Sequence, residues 1–133
     1  MKTLPPKIEY MLEKEKAEVD AYRARKKKET EFLNRVADTV QVADNVSWMV
    51  RREPEFYGQS RDDIPIIINA PGRRIAIFKH KDGVSISVKK GGFYDPDPIK
   101  TWPLSLDLSE SEIWAAVERA MTFKFGFWFK LFG

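Results

Sequence analysis

The sequence predicts an α+β domain. A long N-terminal helical arm comes first, then an antiparallel meander of about four strands, one covering helix, and a C-terminal aromatic strand or tail. Three observations predict it. Residues 64–90, IPIIINAPGRRIAIFKHKDGVSISVKK, alternate apolar and polar side chains around two turn signals. The first forty residues repeat apolar positions at spacings of four and three in a background of Glu, Lys, Ala and Arg. Ser109 and Glu112 have the spacing of a helix-opening capping box.

Pro5 and Pro6 stand just ahead of the first helical pattern, where proline is tolerated. Ile8, Leu12, Glu15, Val19, Tyr22, Lys26, Glu29, Leu33, Val36 and Val40 form a coiled-coil-like seam, which Glu15, Lys26 and Glu29 interrupt. The expectation is one weakly amphipathic helix, or two with a break near Asn34. Unbroken from Lys7 to Asn34, it spans roughly 40 Å at 1.5 Å per residue. That is longer than a domain of this size, so the helix must project, pair with a second copy or fold back. Ala43, Val46 and Val50 extend the helical spacing, Pro54 ends it, and residues 51–63 read as a loop.

Three strands follow. Ala70-Pro71-Gly72-Arg73 suits a type II turn, with proline second and glycine third. Asp82-Gly83 suits a two-residue hairpin turn. These turns predict that Ile68 faces Ile75, Ile66 faces Ile77, Ile77 faces Val88 and Lys79 faces Ile86. Ile66, Ile68, Ile75, Ile77, Val84, Ile86 and Val88 then share one apolar face. The other face receives Ile67, Arg74, Ala76, Phe78, His80, Ser85, Ser87 and Lys89, and is expected to be solvated or covered only in part. Gly91-Gly92 ends the third strand, and residues 93–98 (FYDPDP) read as a rigid connector. Trp102, Leu104, Leu106 and Leu108 alternate with polar residues and Pro103, as in an edge strand. Ser109 opens a helix presenting Ile113, Ala116, Val117, Ala120 and Met121 to the sheet, with Leu108 and Ile113 as a hydrophobic staple. In TFKFGFWFKLFG (122–133) the alternation of Phe123, Phe125, Phe127, Phe129 and Leu131 has the period of a strand. The expected division is a helical arm over residues 1–53 and a compact sheet-and-helix unit over residues 54–133.

The 133 residues include no cysteine, which excludes disulfides, thiolate chemistry and the usual zinc sites. Neither a signal-peptide pattern nor a membrane-spanning apolar run is visible, so a soluble cytoplasmic protein is expected. The net charge of +3 is modest, but its placement is uneven. Residues 73–90 hold Arg73, Arg74, Lys79, Lys81, Lys89 and Lys90 against one acid, Asp82, and the arm holds the basic run RARKKK (23–28).

Catalytic signals are weak. His80 is the sole histidine, and a surface histidine is the favoured reading. Asp95 and Asp97 with Lys100 are a poor match to a metal-bound carboxylate set, and turn chemistry is favoured there. No phosphate-binding glycine loop or HExxH motif occurs. No cofactor, metal or catalytic residue is expected. The favoured function is a small non-enzymatic interaction module, an adaptor or an inhibitor that occludes a larger partner. Its protein-binding residues are expected at Phe125, Phe127, Trp128, Phe129 and Phe132, with self-association through the arm as a further expectation. The alternative is nucleic-acid binding through Arg23, Arg25, Lys26, Lys27, Arg73, Arg74, Lys79, Lys89 and Lys90. Contact of the aromatic tail with a membrane surface is the least favoured reading.

Overall fold

A computed structural model describes residues 3–91 and 100–125. The α+β class holds, with one long N-terminal helix, a five-stranded antiparallel sheet and a C-terminal helix. The strand count exceeds the expected four because an extra strand precedes the predicted three.

Helix α1 runs unbroken from Pro6 to Val40, with no interruption near Asn34. Its 35 residues are about 52 Å long at 1.5 Å per residue. The expected helical continuation to Val50 does not form. Asp44 and Asn45 prevent it by offering side-chain oxygens to the backbone. Asn45 Oδ1 accepts from the N–H groups of Ser47 (2.7 Å) and Trp48 (3.1 Å). Asp44 Oδ1 accepts from Val50 N–H (3.0 Å) and from the Arg51 guanidinium (2.8 Å). After a single 3-10 turn, Gln41–Ala43, the chain reverses into strand β1, Met49–Arg52.

β1 is followed by β2 (Ile66–Ala70), β3 (Arg73–His80), β4 (Gly83–Lys90) and β5 (Lys100–Leu104), in the spatial order β1-β2-β3-β4-β5. Every neighbouring pair is antiparallel. Between β2 and β3, Ile68 faces Ile75 and Ile66 faces Ile77, as the turn predicts, and Gly72 takes φ +77°. Between β3 and β4 the predicted register is corrected by two residues: Ile77 faces Ile86 and Lys79 faces Val84. The turn residues are Lys81 and Asp82, with His80 paired to Gly83. An Asp-Gly turn with both central residues at positive φ would strain Asp82. Here positive φ, 141°, falls on Gly83. A shift of two preserves the side-chain face, so the apolar face survives the correction.

Ile66, Ile68, Ile75, Ile77, Val84, Ile86 and Val88 are buried in one core with Val50. The C-terminal part of α1 covers this face through Phe32, Leu33, Val36 and Val40. Beside it lies α2, Glu110–Thr122, which contributes Ile113, Val117 and Ala120. The predicted capping box is present: Ser109 Oγ accepts from Glu112 N–H, and a Glu112 carboxylate oxygen accepts from Ser109 N–H. The opposite face of the sheet is covered in part, as expected: Ile67, Ser85 and Ser87 are buried, while Arg74, Ala76, Phe78, His80 and Lys89 are half-buried. Leu106 and Leu108 lie beyond the end of β5 but still pack against the core. No helix among the described residues is long and apolar enough to cross a membrane.

Candidate interaction surfaces

Residues 6–25 of α1 are exposed along their whole length, whereas Glu29, Phe32, Leu33, Val36 and Val40 of the same helix are buried. The predicted seam is therefore used in two ways. Its second half lies on the sheet. Its first half projects, leaving Ile8, Leu12, Val19 and Tyr22 each more than 40 % exposed. Leu4, Tyr10 and Met11 add further exposed apolar surface.

Tyr22 and Lys26 mark the point where the seam meets the body. They bound a concavity of about 390 Å³ completed by Gln59, Asp63, Lys79 and His80. Glu29, in the next layer, is 1 % exposed and pairs with Lys26 Nζ at 3.1 Å. Lys26 also donates to the His80 carbonyl (3.5 Å). Two residues that break the apolar seam thus form an ion pair at the root of the arm. The seam spacing put Lys26 and Glu29 on one face, but it could not show that the sheet would bury the carboxylate.

The basic residues separate into two groups. Arg23, Arg25 and Lys27 are exposed on the arm, together with Lys28. Arg25 and Lys26 each lie 5.6 Å from the Tyr22 ring centroid. The sheet cations are mostly engaged within the chain. Arg73 donates to the carbonyls of Ala120 (2.8 Å) and Phe123 (2.9 Å), satisfying the C-terminal end of α2 where positive charge is favoured. Its guanidinium also lies 4.8 Å from the Phe125 ring centroid. Arg74 pairs with Glu53 at 2.8 Å. Lys79 pairs with Asp63 and donates to Thr30 Oγ1, both at 2.8 Å. Lys89 lines a second concavity, about 440 Å³, on the sheet face away from the helices, with Ile67, Arg74, Ala76, Phe78 and Ser87. Lys90 is exposed at the end of β4. No short-range pattern could have revealed the Arg73 contacts, which join β3 to residues 47 and 50 positions away.

Among the predicted aromatic contact residues, Phe125 packs edge-on against Phe123 (6.0 Å), and Phe123 packs edge-on against Trp102 (5.6 Å). Phe125 therefore belongs to the packing at the end of α2. Phe127, Trp128, Phe129 and Phe132 lie outside the described residues, as do Asp95 and Asp97.

His80 sits at the end of β3 with Nε2 2.7 Å from Ser85 Oγ. Its Nδ1 accepts the Asp82 N–H at 3.2 Å. That second contact needs a lone pair on Nδ1, which leaves the neutral ring's proton on Nε2 to be donated to Ser85. A base that activates a serine must accept at that position, so this pair is arranged to stabilise the turn. Among the described residues, no group of three or more His, Asp or Glu side chains could hold a metal ion.

Hydrogen bonding shifts two carboxyl groups, and burial shifts one guanidinium. The Asp44 carboxyl is held below its usual range first by the Val50 N–H and then by Arg51. Glu112 is lowered by its bond from Ser109. Burial pulls the Arg52 guanidinium down, against the opposing pull of Asp62. Arg52 donates twice to the Ile64 carbonyl (2.9 and 2.7 Å) and once to Asn34 Oδ1 (3.2 Å), tying β1 to the loop before β2 and to α1. Comparison with protein-family models, with curated proteins and with solved structures finds no match to this chain.

Proposed function

We propose that this chain is a non-enzymatic protein-interaction module that engages a helical partner along its N-terminal arm. One observation carries the reading: twenty consecutive helical residues, 6–25, are exposed and carry an apolar stripe. Such a segment draws nothing from tertiary packing, which supplies most of a helix's stability in a protein. Coiled-coil pairing supplies the missing cover, because the stripe keeps the four-and-three spacing that helix pairs bury. The tail residues from Phe127 onward are a second contact element in this proposal.

Chemical cross-linking of the full chain in lysate of its native host, read by mass spectrometry, tests it. Cross-links to other polypeptides should concentrate on Lys7, Lys14, Lys16, Lys27 and Lys28. Their confinement to the lysines of the sheet would defeat the proposal. A nucleic-acid reading draws support from the exposed cations at Arg23, Arg25, Lys27 and Lys28, but the sheet contributes less to it than expected, since Arg73, Arg74 and Lys79 are committed inside the chain. Fluorescence polarisation with a single-stranded oligonucleotide decides between the two. Binding that weakens steeply with salt and disappears when the four arm cations are replaced by alanine would favour phosphate contacts.

A further inference from the structure

We infer that the partner of the arm is a second copy of this chain, lying antiparallel. The inference rests on the interaction reading above and names the occupant of the same surface. Three observations on the arm carry it.

The first is charge. Residues 9–20 hold five acids and two bases, and residues 23–28 hold five bases and no acid. A parallel, in-register pair would stack five cations on five cations and set Glu15 against Glu15. An antiparallel pair in the register below moves each basic block away from its twin, to lie across from residues 6–11, which hold Glu9 and Lys7. It also sets residues 9–20, with three acids in excess, across from residues 14–25 of the other helix, with one base in excess. Charge thus selects the antiparallel orientation by removing the two like-on-like stacks.

The second is length. The seam is open from Ile8 to Tyr22, and beyond Lys26 the sheet occupies it. The longest antiparallel overlap that avoids the sheet places Ile8 against Lys26 of the other copy. Leu12 then meets Tyr22, Glu15 meets Val19, and Glu9 flanks Arg23. Ile8 packs on the aliphatic stem of Lys26 in this register, so the cation need not be buried.

The third is the concavity of about 390 Å³ at the foot of the seam, bounded in part by Tyr22 and Lys26. The same register carries the first turn of the other helix to this hollow. Leu4, 55 % exposed, is the side chain positioned to enter it. One arrangement therefore covers the open stripe, the basic block and the hollow together.

The chain has no cysteine, so single cysteines report orientation without background. Full-length Leu12→Cys and Tyr22→Cys proteins are mixed in a glutathione redox buffer, and sedimentation of the unmodified protein is measured alongside. The expected results are a dimer by sedimentation and a 12–22 disulfide in excess of both the 12–12 and 22–22 products. Leu12→Glu with Val19→Glu should abolish the dimer and leave the unfolding midpoint of the sheet, read by tryptophan fluorescence, unchanged. A monomer at the highest attainable concentration, a predominant 12–12 product, or a dimer indifferent to the Leu12→Glu and Val19→Glu changes would each overturn the inference. If the chain is monomeric but its arm lysines still cross-link to other polypeptides in lysate, the antiparallel pair fails and the interaction module stands. Loss of both results removes both.

Discussion

Lys26 and Glu29 show how one contact can define a boundary. Glu29 is 1 % exposed while the Lys26 side chain is 26 % exposed, so the carboxylate carries nearly all of the desolvation cost. Its Oε2 lies near the ammonium but has no hydrogen-bond partner among the described residues. Lys26→Met should therefore destabilise the body by on the order of 2–3 kcal/mol, below the range for a fully buried pair because water reaches Lys26. Adding Glu29→Leu to that variant should restore or exceed the original stability, since an apolar pair removes the stranded charge. Urea unfolding of the two single variants and the double variant measures both effects. A second residue-scale effect lies at the capping box. Ser109→Ala should cost about 1 kcal/mol. Glu112 and Asp44 are both depressed by hydrogen bonds that exist only in the folded chain. Carboxyl groups of this kind contribute stability above their unfolded pKa and lose it as pH falls through the folded value. Stability should thus decline on acidification below about pH 5, and Glu112→Gln with Asp44→Asn should flatten the decline in a urea series across that range.

At the scale of elements, α1 is one helix in two environments. Proline in the exposed half should remove helix without touching the core, and proline in the buried half should do both. Ala17→Pro is expected to lower the helical circular-dichroism signal and leave the fluorescence unfolding midpoint of dilute protein in place. Ala37→Pro, beside the core, should destabilise the body by about 3 kcal/mol or more, through a lost backbone bond and a ring clash. Equal effects of the two substitutions on the body would mean that the arm is packed. The elements also show how far the sequence reached. The apolar sheet face was legible because alternation around the Pro71-Gly72 turn leaves little choice of pairing. The capping box was legible because its contacts span three residues. β1 was missed because Val46 and Val50 kept helical spacing, while Asp44 and Asn45 drew the backbone into turn bonds that a hydrophobic period does not register. The β3–β4 register was missed by two because either placement of the turn puts the same side chains on the core. The basic sheet surface was overread, since Glu53, Asp63 and the end of α2 lie near it only after folding.

For the whole molecule, the consequence is a gradient of local stability along a single helix. Amides of residues 30–40 sit over the core and open only when the body does. Amides of residues 10–24 have hydrogen bonds but no tertiary cover, and local opening of such a segment costs little. Hydrogen exchange on dilute full-length protein should therefore show rapid exchange through the arm, a rise in protection near Glu29, and slow exchange through Phe32, Leu33 and Val36. Raising the protein concentration should slow exchange in the arm alone, because pairing of arms couples their opening to dissociation by mass action. The step near Glu29 should remain at every concentration, since it is set by the sheet within one chain. Uniform protection along α1 at high dilution would contradict a projecting arm. A step that is present but insensitive to concentration would retain the projecting arm and reject self-pairing. Where protection changes thus tests the fold, and its dependence on concentration tests the partner.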